Sequence, residues 1–77
     1  MSDRRLKRDV TRTGTSPSGI PTYTFRYTAD GAQGTVYAGT MAQDLLAMGR
    51  GDAVLTDPGT GMYAVNYAAL DVTFEAL

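Results

Sequence analysis

Cysteine and histidine are both missing from this chain of 77 residues, and lysine occurs once, as Lys7. The first two absences together remove disulfides, thiolate zinc sites, Cys–His nucleophilic pairs and the Ser-His-Asp triad. A metal site could be built only from carboxylates, and none is expected. No apolar run approaches the roughly 18 residues of a membrane span. The basic start is not followed by an apolar stretch, so no secretory signal is read. Yet 43% of the residues are apolar, too many for a disordered tail. Residues 1–77 are read as one small domain, which at this length buries only roughly 60–65% of the surface that the unfolded chain exposes. With disulfides excluded, association with further copies is the expected supplement to a marginal core.

A formal net charge of −1 conceals a division. Arg4, Arg5, Lys7, Arg8 and Arg12 face only Asp3 and Asp9 among the first twelve residues, whereas Arg26 and Arg50 stand against six acids in the remainder. A basic N-terminal run raises the question of nucleic acid or a membrane surface. The aromatics, however, lie elsewhere, at Tyr23, Phe25, Tyr27, Tyr37, Tyr63, Tyr67 and Phe74. No Lys/Arg stripe interleaves with them as a stacking surface requires. The run reads as a solvated or self-docking arm, with neither nucleic acid nor membrane as partner.

Residues 2–12 place Leu6 and Val10 four apart, a spacing compatible with one face of a helix or of a strand. Ser2 or Asp3 could cap a helix start. The Gly-, Pro-, Ser- and Thr-rich stretch 13–22 reads as a loop. Tyr23, Phe25 and Tyr27 alternate with Thr24 and Arg26, which predicts a half-buried strand. A turn at Ala29-Asp30-Gly31 leads to a second strand over 35–39. Met41 to Met48 forms the central helix, with Met41, Leu45 and Met48 on one stripe and Gly49 to end it. Residues 53–55 and 62–67 pair as a hairpin across the turn Asp57–Gly61. Leu70, Phe74 and Leu77 fall at helical spacing and predict a short C-terminal helix. The fold class is α+β: a small antiparallel sheet built around the aromatic strand and the 62–67 strand, packed by the 41–48 helix.

Without His or Cys, the nucleophiles on offer are hydroxyls, and the bases are carboxylates or Lys7. A hydroxyl needs a base, and a lysine serves as one when burial or neighbouring cations lower its pKa; Arg4, Arg5 and Arg8 would act in that direction. Ser2 lies five positions before Lys7. Within a regular helix those positions are about 140° apart around the axis, so the two meet only if Ser2 sits in a turn ahead of the regular segment.

Ser2-Asp3-Arg4-Arg5-Leu6-Lys7, followed by Val10, resembles the opening signature of the intramolecular chaperone auto-processing family of peptidases. These domains stand at the C-termini of phage tailspikes of the endosialidase type, tail fibres and neck appendages, and occur in myelin regulatory factors. Tyr23-Thr24-Phe25-Arg26-Tyr27 is similar to the family's aromatic strand, and Gly39-Thr40-Met41-Ala42-Gln43-Asp44-Leu45 to its helix start. Asp52-Ala53-Val54, and then Gly61 through Leu70, resemble its closing pattern. The resemblance implies a homotrimer that assists folding of an upstream stalk or fibre in its own precursor. It also implies release by a single serine–lysine cut before Ser2, without a cofactor, in a phage tail or virion precursor made in the bacterial cytoplasm or in a prophage-derived protein. Carried over by position, Ser2 is the nucleophile, Lys7 its general base, and Met1–Ser2 the bond that breaks. Asp3 would orient the turn or cap a helix. Gln43 would supply a hydrogen bond to the developing oxyanion, or else hold the helix start or an interface. Met1 is either an initiator methionine, in which case the chain corresponds to the released product, or the last residue of the junction. The departures from the family are the short 13–22 loop, Arg50-Gly51 where a proline is common, and no long C-terminal helices. The alternative reading is a trimerisation cap of a fibre protein that cuts nothing.

Overall fold

The computed structural model describes residues 1–77. Six strands and one helix follow in order: β1 (Lys7–Thr15), β2 (Pro21–Tyr27), β3 (Tyr37–Gly39), α1 (Ala42–Ala47), β4 (Val54–Thr56), β5 (Tyr63–Val65) and β6 (Glu75–Ala76). Single 3-10 turns occupy Arg4–Leu6, Thr28–Asp30, Gly51–Ala53 and Tyr67–Ala69. One antiparallel sheet has the order β1-β2-β3-β6, and β4-β5 form a separate two-stranded sheet. This is the α+β arrangement of a small antiparallel sheet with one packed helix.

The ambiguous N-terminal segment divides into a turn and a strand. Asp3 caps the 3-10 turn by accepting the Arg5 N–H, and the chain is extended from Lys7 onward. β1 pairs with β2, with Lys7 opposite Tyr27 and Arg8 opposite Arg26, and the register then slips before Thr11 meets Thr24. Asp9 stands at the slip with a φ of 53°. Aspartate tolerates this left-handed conformation because its short side chain bonds locally, here accepting from Arg8 and Arg26. The extra residue resets the alternation. Lys7 is thereby buried and Val10, three positions on, packs against Tyr23, Phe25 and Met41.

Half of the stretch 13–22 is strand, and residues 16–20 alone form the loop. β1 runs to Thr15 and β2 starts at Pro21, joined by a turn in which Ser16 N donates to Ile20 O and Gly19 has a φ of 92°. α1 ends as its sequence suggests. Gly49, at φ 80°, donates to Leu46 O and Arg50 donates to Leu45 O, the paired bonds of a Schellman cap. Of the expected stripe, Met41 and Leu45 are fully buried while Met48 is exposed.

Two expectations are corrected. The 62–67 strand does not join the aromatic sheet; β5 pairs only with β4, because the Asp57–Gly61 turn closes that hairpin locally, with Asp57 N on Met62 O and Gly61 N on Asp57 O. The predicted C-terminal helix is absent. Its residues form the Tyr67–Ala69 turn and then β6, which pairs with the otherwise open edge of β3. The backbone donors and acceptors along that edge need partners. Phe74, freed from helical spacing, stacks on Tyr37 with centroids 5.2 Å apart and tilts onto Tyr67 at 5.5 Å.

Thirteen residues are buried, and four of them, Ser2, Asp3, Lys7 and Thr40, are polar or charged. Two apolar clusters flank them: Ile20, Leu45, Ala53 and Val72 on one side, Tyr23, Phe25 and Met41 on the other. A core this small spends a third of its interior on polar groups, so those groups mark where function is to be sought. No helix is long and apolar enough to cross a membrane.

Candidate active site

Ser2 is held from both sides by backbone bonds. Its N–H donates to Tyr63 O at 3.1 Å and its C=O accepts from Ala42 N at 2.8 Å. The N-terminal turn is thus docked between the free edge of β5 and the start of α1. Ser2 sits ahead of the regular segment, which is a strand and not the helix considered for the five-residue spacing. Its side chain is buried, with Oγ 2.9 Å from the Tyr67 hydroxyl.

Asp3 fixes the turn. Its fully buried carboxylate accepts from Arg5 N, from Arg5 Nε and Nη2, from Gln43 Nε2 at 2.8 Å and from Tyr63 N at 3.0 Å. The Arg5 guanidinium, foremost among these donors, holds the carboxyl well below the usual carboxylate range, against the opposing pull of burial. Gln43 is committed at both ends, since its Oε1 accepts from Arg4 N at 2.9 Å. Its amide therefore ties α1 to the turn and does not reach the Met1 carbonyl.

Lys7 is buried at the first position of β1. Its Nζ donates to Thr40 O at 3.0 Å, touches Met41 Sδ at 3.6 Å and stands 3.8 Å from the Phe25 ring centroid. No carboxylate pairs with it. Burial pushes the amine down to about 7, the nearby charge of Arg4 adds to that, and Asp3 opposes it. The aromatic face returns part of the lost solvation of the charged form, but burial dominates.

Ser2 and Lys7 make no hydrogen bond to each other. Thr40 and Tyr67 stand between them. Tyr67 Oη accepts from Thr40 N at 3.1 Å and lies 3.4 Å from Thr40 O, the oxygen that binds Lys7. Thr40 is itself pinned by its hydroxyl, which donates to Pro21 O at 2.8 Å. The remaining contact involves the peptide before Ser2: Tyr27 donates its hydroxyl to Met1 O at 2.6 Å. Tyr67, Thr40 and Tyr27 carried no assigned role in the sequence reading. Tyr27 closes the alternating aromatic strand, which marked it as a packing residue; nothing in that pattern shows that its hydroxyl meets a backbone carbonyl.

A cavity of about 140 Å³ opens beside Ser2, lined by Met1, Ser2, Tyr27, Val65, Tyr67 and Phe74. A wider groove of about 530 Å³ continues past Met1 along Arg5, Leu6 and Tyr27 to Asp30. The arrangement combines a buried hydroxyl, a buried amine poised near neutrality, and a held carbonyl whose carbon is bonded to the serine's own nitrogen. No group of three or more acids gathers to hold a metal. Comparison with family models, curated proteins and solved structures gives no match.

Proposed function

We propose that this chain is a self-cleaving folding module of the intramolecular chaperone auto-processing class, which cuts the Met1–Ser2 bond with Ser2 as nucleophile and Lys7 as base. The observation that carries the reading is the buried, unpaired Lys7. An amine desolvated without a carboxylate is costly to a small core, and a pKa brought near 7 by burial is what a general base needs. The opening signature that carries the family resemblance contains the same two residues.

The reaction starts when neutral Lys7 exchanges Thr40 O for the Ser2 hydroxyl. Nζ takes the Oγ proton, Oγ bonds to the Met1 carbonyl carbon, and negative charge builds on Met1 O. Collapse breaks the C–N bond while the Lys7 ammonium returns its proton to the Ser2 nitrogen, leaving the upstream chain as an ester on Oγ. Water then adds to the ester and splits it into a carboxyl group on Met1 and a free Ser2 hydroxyl. The cavity of about 140 Å³ beside Ser2 has room for that water. Because nucleophile and carbonyl belong to adjacent residues, covalent connection supplies the effective concentration and no substrate cleft is needed.

As a module of this class it acts as a homotrimer on an upstream fibrous stalk. The small core and the exposed Leu46, Met48, Leu55, Phe74 and Leu77 favour association. The test is a precursor carrying a trimeric stalk ahead of residue 1. Gel analysis and mass spectrometry are expected to show two fragments, the smaller beginning at Ser2, and Ser2→Ala is expected to leave the precursor whole. An uncut wild-type precursor would overturn the reading. It would favour instead a trimerisation cap without cleavage, to which the missing Ser2–Lys7 hydrogen bond gives support. Light scattering that finds only monomer at micromolar concentration would count against both.

A further inference from the structure

We propose that Tyr27 is a catalytic residue of the same site, its hydroxyl being the donor that stabilises the oxyanion formed on Met1 O; this rests on the reading that Met1–Ser2 is the bond cut. Three observations support it. The hydroxyl already lies 2.6 Å from Met1 O, the one donor that the structure gives this oxygen. The backbone places it there for a reason: Tyr27 ends β2 directly opposite Lys7 at the start of β1, so a single pair of the ladder sets base and donor on the same face of the sheet. Finally, the ring cannot swing freely. It stands edge-on to Phe25 with centroids 5.6 Å apart and to Tyr37 at 5.3 Å.

A donor fixed in advance on a carbonyl oxygen gains strength as that oxygen becomes an anion, and it needs no reorganisation at that moment. The phenol also keeps its proton. Burial, then the neighbouring Tyr67, Tyr37 and Asp30, push it up to about 12, so it remains a neutral donor wherever Lys7 titrates. Gln43, the residue that sequence reasoning offered for this task, is occupied by Arg4 and Asp3.

The experiment compares first-order cleavage of the stalk-bearing precursor with that of its Tyr27→Phe variant between pH 5 and 9. Removing one oxyanion donor typically slows reaction about 10²–10³-fold, so Tyr27→Phe is expected to cut about a hundredfold more slowly, before the same Ser2, with the midpoint of its pH profile unmoved. Wild-type cleavage with a variant rate within about threefold overturns the assignment of Tyr27 and leaves Ser2 and Lys7 standing. No cleavage by the wild type overturns the underlying reading, and this assignment with it. Should circular dichroism show Tyr27→Phe unfolded, 3-fluorotyrosine at position 27 serves instead: a more acidic phenol of nearly the same volume is expected to speed the cut, and an unchanged or slower rate overturns the assignment.

Discussion

Tyr67 brings its hydroxyl to 2.9 Å from that of Ser2, a contact between residues 65 positions apart. The same oxygen accepts the N–H of buried Thr40. Tyr67→Phe keeps the ring against Phe74 but leaves that N–H unpaired, at a cost of about 1–3 kcal/mol. In a domain of this size each kcal/mol lowers Tm by about 4–8 °C. Calorimetry is therefore expected to find a melting temperature lower by at least about 4 °C, and precursor cleavage slowed about tenfold because the Ser2 rotamer is no longer held.

Gly39 is a second handle on the same contact. A Cβ added there would come within 2.5 Å of Tyr67 Oη and 3.4 Å of Phe74 Cδ1. Gly39→Ala is expected to move the Tyr67 hydroxyl off both Ser2 and Thr40, slowing cleavage at least as much as Tyr67→Phe. Restored cleavage in the Gly39→Ala/Tyr67→Phe double variant relative to Gly39→Ala alone would show that the clash acts through this oxygen.

Lys7 sets a stability cost that depends on pH. Its folded pKa of about 7 lies below the unfolded value of about 10.4, so between them the unfolded chain holds the extra proton and stability rises with pH. The penalty is full below pH 7 and gone above about pH 10. Lys7→Met fills the same space without an amine. It is expected to abolish cutting yet be more stable than wild type at pH 6, with the advantage shrinking toward pH 10 in denaturant titrations.

The cleavage rate should carry the same titration. Only the neutral amine can take the Ser2 proton, so the rate is expected to climb tenfold per pH unit below about 7 and to level off above it. A rate that falls across this range would assign the base elsewhere.

Asp3 titrates in the opposite sense. Its folded pKa is depressed, chiefly by Arg5, so its stabilisation is present above about pH 4 and is lost as pH falls toward the folded value. Asp3→Asn puts donors among donors from Arg5, Gln43 and Tyr63. It is expected to cost about 3 kcal/mol or more and to flatten the acid limb of the stability curve.

Much of the fold was legible because local rules decided it. The alternation of Tyr23, Phe25 and Tyr27 gave β2, and Gly49 ended α1 where a left-handed residue was wanted. The C-terminal segment was not legible: the spacing of Leu70, Phe74 and Leu77 suits a helix, but the unfilled edge of β3 takes those residues as strand, a demand invisible in local pattern. At the site, Ser2 and Lys7 stood out by residue type and by the family resemblance, since their spacing alone is a weak signal, and the structure buries both. The three-way use of Tyr67 Oη and the Tyr27–Met1 bond follow from strand register and docking, which the Asp9 bulge alters in a way that no periodicity announces.

The docked N-terminal turn has a consequence for timing. Ser2 and Asp3 rest on Tyr63 and Tyr67, so the environment that buries Ser2 does not exist while residues up to the mid-sixties are still inside the ribosome. Contacts this distant in sequence form late in folding. Under the proposed function, a nascent chain stays intact until the segment through Tyr67 has emerged and docked, with folding of that segment as the clock.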